Sequence, residues 1–340
     1  MSAPSHPRTD RHTSASLAVQ DTGTTTPRRR GGRTRPHLAQ LGLNPLGQLL
    51  LALNALVLVA DVAVFHVTGL SIQWSTAIWG PIILAGMFAL WLNFWLTPGN
   101  EKEWFLAEVV FLMFALVLLT NLTAPFQYAA VALRFPYADP WLAAADSKMG
   151  VSVPSLAAWT WAHPRTNTLL GIAYGSLLPQ CFIVVIAIAA VRDRDALWEF
   201  TFNAFFCILA TVAALVIWPA LGPAAYFHFR PTVDMTRLVA QVRALHDGTF
   251  TLVRFDQLEG LVSFPSLHVA GALALAWAVR RHRVLLVPML LLNALLIVST
   301  VWCGVHYLVD VIAGVPVFAG SALLYRWRGR GLLVWASAQS

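Results

Sequence analysis

Charge is the scarcest commodity in this chain. Only 11% of its 340 residues are Asp, Glu, Lys or Arg, where an ordinary soluble domain carries about a quarter. A water-facing surface cannot be covered from so small a supply, which excludes a soluble globular fold. Cysteine is almost as sparse. Cys181, Cys207 and Cys303 are scattered through apolar runs with no CxxC or metal-ligand spacing, so no disulfide framework or zinc site is implied, and each reads as a small buried hydrophobe. No Asp/Glu/His cluster has metal spacing either, and no metal or other cofactor is expected. The formal net charge of +7 could suggest nucleic acid, but the basic residues gather at the ends of apolar runs rather than in one patch, so no nucleic-acid partner is expected.

Apolar residues dominate instead. They make up 58% of the sequence, and the mean hydropathy is +0.65. Crossing about 30 Å of hydrocarbon takes close to twenty residues per helix. Runs of that kind lie at about 47–67, 75–97, 103–122, 168–191, 197–218, 264–280, 284–303 and 306–326. The expectation is therefore an all-α integral membrane protein of about eight transmembrane helices, with the bilayer as its partner. Residues 1–45, basic and rich in Ser, Thr and Pro, read as a disordered cytoplasmic tail without an adjoining cleavable signal pattern, and 329–340 as a second short tail.

Lys and Arg decide the orientation. With both termini inside, sixteen of the 23 lie on inner segments and seven on two long outer loops, about 123–167 and 219–263. A cell-membrane protein with cytoplasmic termini is expected. The first outer loop carries Asp139, Asp146, Lys148, Trp159 and Trp161 and reads as an interfacial lid, or as a recognition element for a head group. In the second, residues 233–246 form an amphipathic helical pattern that ends at His246-Asp247-Gly248. Asp61 and Glu108 lie in or near apolar runs and are expected to be structurally paired.

Two short stretches carry chemistry: Ser263-Phe-Pro-Ser-Leu-His268, and Ser299-Thr-Val-Trp-Cys-Gly-Val-His306-Tyr-Leu-Val-Asp310. On a helix the i, i+4 offset would put His306 and Asp310 on one face, so that the carboxylate holds one ring nitrogen and frees the other. His66, His163, His246 and His282 lack such a partner.

Pro-Ser-x-His followed by Gly-x-His-Tyr-x-x-Asp resembles the second and third motifs of the type-2 phosphatidic-acid phosphatase superfamily, which holds lipid phosphatases, lipid phosphotransferases and vanadate haloperoxidases. The resemblance implies a six-helix catalytic core at 101–328, preceded by two additional helices at 46–100. It implies His306 as nucleophile, Asp310 as its orienting carboxylate and His268 as general acid and base, with Ser266, Arg230, Tyr226 and Ser299 as substrate-binding candidates. Two departures stand out. The superfamily's first motif is Lys, six residues, then Arg-Pro, whereas here Pro223 stands seven positions before Arg230. In the third motif Ser299-Thr300 replaces the usual Ser-Arg. Together with the Pro219-Ala-Leu-Gly-Pro-Ala-Ala-Tyr226 stretch, these departures resemble the inositol phosphorylceramide synthase branch. That branch implies transfer of a phospho-head-group from a phospholipid donor to a lipid alcohol, through phosphohistidine, at the extracytoplasmic face. Hydrolysis, with water as acceptor, stays open as the reaction of a lipid phosphate phosphatase. A non-catalytic lipid binder or a transporter stays open as a different class.

Overall fold

A computed structural model describes residues 35–332; residues 1–34 and 333–340, with most of the expected tails, lie outside the described residues. The architecture is helical and built around long apolar rods. The helix α1 (Pro45–Thr68) starts at Asn44, whose side chain accepts from Gly47 N, and stops at Gly69 in the left-handed conformation. Just before it, Leu41 is fully buried and its carbonyl accepts from Trp91 Nε1. The next helices are α2 (Trp79–Leu96) and α3 (Glu101–Val131). At 31 residues, α3 spans roughly 46 Å, longer than an ordinary hydrocarbon core of about 30 Å. Two short helices, α4 (Asp139–Lys148) and α5 (Val153–Ala162), follow in the first long loop.

Among the described residues, six helices are long and apolar enough to cross a membrane. They are α1, α2, α3, α8 (Arg194–Ile217), α12 (Arg283–Trp302) and the helix running from Leu308 to Leu332, whose regular part we label α13 (Leu308–Leu324). The expected spans at 168–191 and 264–280 differ from this pattern. The first is a pair, α6 (Pro164–Gly175) and α7 (Leu177–Val191), bent by 53°. The bend falls at Ser176, whose Oγ donates to the Ala173 carbonyl. The second is the 12-residue α11 (Leu267–Ala278), too short by itself to cross about 30 Å. The bundle is thus a multi-pass membrane protein in which two of eight apolar runs fall short of plain spanning helices.

Packing links α3 to α8, α8 to α11 and α13, and α11 to α12 and α13, while α1 and α2 attach through α3. The outward side chains of α2, among them Trp79, Ile82 and Ile83, are exposed, as lipid-facing residues are. One end of the bundle is closed by ion pairs in which buried carboxylates meet partly exposed arginines. Glu108 takes two bonds from Arg194 Nε and one from Trp198, and Glu199 takes Arg280 and Trp277. Glu108 is thus structurally paired. Asp61 is different, since its Oδ1 is buried with no hydrogen-bond partner among the described residues.

The other end of α11 and α13 carries the second long loop, with the one-turn α9 (Pro223–Tyr226) and α10 (Thr236–Asp247), which ends at left-handed Gly248. A two-residue parallel pairing, β1 (Ser71–Ile72) with β2 (Leu252–Val253), ties this loop to the connection between α1 and α2.

Candidate active site

The turn between α12 and α13 sets the position of His306. As α12 ends, the Val305 and His306 amides both turn back to the Thr300 carbonyl, and Gly304 adopts φ +76. A Cβ on Gly304 would meet the Phe229 ring at 2.5 Å, so this tight turn requires glycine. His306 therefore sits in the turn, two residues before α13, and does not share a helix with Asp310. The two still meet because Asp310 is the third residue of α13, where a carboxylate reaches back over the helix start. Its Oδ2 accepts from the Tyr307 amide at 3.0 Å, faces His306 Nδ1 at 3.3 Å, and takes the Ser263 hydroxyl at 3.4 Å. With Nδ1–H directed at the carboxylate, Nε2 keeps its lone pair. Burial lowers the His306 pKa to about 4, against a backbone hydrogen bond at Ser263 that works the other way. The ring is thus an uncharged base at neutral pH.

Ser266 starts α11. Its Oγ accepts from Val269 N, and its amide donates to the Asp310 carbonyl at 3.1 Å, which locks the two motif helices together. The second residue of α11, His268, lies edge-on to His306 with ring centroids 5.7 Å apart. On its other side the Tyr174 ring, from α6, stacks at 4.2 Å. A pocket of about 30 Å³ opens beside His306, lined by Tyr174, Gly222 and Ser263 with apolar neighbours and no Lys or Arg. That volume admits roughly one water-sized group.

The remaining candidates lie elsewhere. Arg230 stacks its guanidinium over Trp161 at 4.6 Å, and its carbonyl accepts from Trp161 Nε1. Tyr226 is exposed against Phe227. Ser299 is fully buried, and its hydroxyl donates to the Leu296 carbonyl of its own helix at 2.6 Å.

The two aspartates of the first long loop act on protein, not on solvent. Asp139 accepts the Leu221 and Gly222 amides and the Tyr307 hydroxyl. Burial pushes its carboxyl above the usual range, and these three bonds oppose that. Asp146 accepts the Leu308 and Val309 amides at 2.8 and 2.9 Å, capping α13 where a negative charge suits the helix start. Both carboxylates thus fix the turn that carries His306. Tyr174 was invisible to sequence reasoning, because a lone tyrosine in an apolar run has no local signature.

These features define a multi-pass helical membrane protein with a buried His–Asp pair and a second histidine at one end of its bundle. A model of the PAP2 superfamily matches residues 140–324, over half of the chain. The protein belongs to the PAP2 superfamily, whose members are generally phosphatases or phosphotransferases. No curated protein and no solved structure matches the chain.

Proposed function

We propose that this protein is a lipid phosphotransferase that moves a phospho-head-group between lipid alcohols through a phosphohistidine at His306. His306 Nε2 attacks phosphorus as the P–O bond to the donor lipid breaks. His268, whose ring burial keeps uncharged in the free protein and which takes up a proton with the anionic substrate, gives that proton to the leaving oxygen. The acceptor hydroxyl then returns a proton to His268 as its oxygen displaces His306. Asp310 holds the imidazole and stabilises the charge it acquires.

The observation that carries the choice of transferase is the pocket beside His306, which has no Lys or Arg in its lining. A dianionic monoester needs cations around its equatorial oxygens, whereas a phosphodiester brings one charge fewer. Neutral donors and the start of α11 can meet that smaller demand. The bias of Lys and Arg towards the other segments supports an extracytoplasmic site at head-group level, with lipid entering from the side.

The test is incubation of the purified wild type and of His306→Ala with labelled phospholipids and long-chain alcohols, followed by chromatography of free phosphate and new lipids. Transfer is supported if the wild type makes a new phospho-lipid and the variant makes none. Release of phosphate alone would identify a phosphatase.

A further inference from the structure

A pocket with room for about one water can hold one oxygen of the reacting phosphoryl group and little else. The rest of the substrate must lie in adjoining space. Such a space exists, a chamber of about 720 Å³ between the strand of chain after α9 and the helix α10. Met235 lines both cavities. One wall is a stripe of α10 at helical spacing, Thr236, Val239, Ala240 and Arg243. The facing wall includes His228 and Arg230, and Asp234 is the one acidic side chain in the lining. The opposite face of α10 is committed to the protein, with Val242 and Leu245 buried and Gln241 bonded to Tyr128. The helix is thus held by one face and offers the other.

The charges in this chamber are unequally engaged. Asp234 Oδ1 is taken by the Thr236 amide. Arg230 is steered by Trp161, and Arg243 has no hydrogen bond or ion pair among the described residues. Arg237, one turn away on α10, pairs instead with Glu259 and does not line the chamber. Two arginines and one occupied carboxylate in a single lining make a seat for an anion with hydrogen-bonding neighbours.

We infer that this chamber is the seat of the substrate's polar head group, and that it selects head groups carrying a negative charge of their own, a phosphate or a carboxylate beyond the reacting phosphodiester. The inference rests on the transfer reading above. In that reaction the head group stays on phosphorus while one lipid alcohol leaves and another arrives, so it needs a single seat through both steps. The chamber, which shares the Met235 wall with the His306 pocket, is the adjoining space that can provide it.

Two measurements on the full-length protein in detergent test this. The first compares kcat/KM on phosphatidylinositol 4-phosphate, phosphatidylinositol and phosphatidylcholine. The wild type should rank them in that order. Arg243→Gln should remove at least fivefold of the advantage of the phosphorylated lipid, Arg243→Glu should invert the ranking towards choline, and Arg237→Gln should change neither. The second measures calorimetric binding of glycerol 3-phosphate to His306→Ala, which does not depend on turnover. Binding should weaken about tenfold when Arg243→Gln is added. An unchanged ranking in both Arg243 variants, or glycerol 3-phosphate binding indifferent to Arg243, overturns the assignment. Inorganic phosphate binding as tightly as glycerol 3-phosphate overturns the head-group assignment in favour of a free-anion site. If His306→Ala turns over like the wild type, the catalytic reading fails, while the binding measurement still decides the chamber.

Discussion

The Tyr307 hydroxyl donates to Asp139 Oδ1 across 3.0 Å, joining the residue beside His306 to α4 in the first long loop. The same carboxylate holds the Gly222 amide, and Gly222 lines the pocket at His306. Asp139→Ala leaves two amides and a phenol without their acceptor, at a cost of about 3 kcal/mol in total. We expect a lower melting temperature together with a loss of transfer activity. Asp139→Asn keeps one acceptor and should fall between wild type and alanine in both measurements.

Tyr174 touches His268 through its ring face. Its stack should hold the imidazole in place, so Tyr174→Leu should lower kcat about tenfold. Tyr174→Phe keeps the ring and should retain most of the activity. Equal losses in the two variants would assign the role to the hydroxyl instead.

Ser299 provides a contrast. Because its hydroxyl is satisfied inside its own helix, Ser299→Ala should change stability by about 1 kcal/mol or less and leave KM within twofold of wild type. A large rise in KM would return Ser299 to the substrate-binding set that the motif resemblance implies.

The reach of the sequence can be judged from these same residues. The apolar runs were legible because a bilayer imposes length and composition on every span. The bend at Ser176 and the shortness of α11 were not, since an apolar run does not announce where it turns. His306, Asp310, His268 and Ser266 could be named because their spacing is local. Their geometry could not, as His306 meets Asp310 across a helix start rather than along a helix. Asp139 and Asp146 were legible as residues worth weighing. Their partners, Gly222, Tyr307, Leu308 and Val309, are long-range contacts that local pattern does not encode.

Burial of His306 links protonation to folding. Its pKa is about 4 in the folded protein and about 6.5 in an unfolded chain. Between those values the unfolded state binds more protons, so this residue's contribution makes stability rise with pH and is fully present above about pH 6.5. Lowering the pH from 7 to 5 should cost about 2 kcal/mol through His306 alone. Thermal melts of wild type and His306→Gln at the two pH values check this, and the variant should lose less on acidification.

The central claim is that His306 carries the phospho-head-group between donor and acceptor. The most direct measurement is a rapid alkaline quench of the purified protein, mixed with a head-group-labelled phospholipid without an alcohol acceptor, followed by mass spectrometry of the peptide containing His306. The account predicts a phosphoramidate adduct on His306 that retains the head group, disappears when a long-chain alcohol is added, and is absent from His306→Ala. Turnover without any adduct on His306, or an adduct that the alcohol leaves untouched, would contradict it.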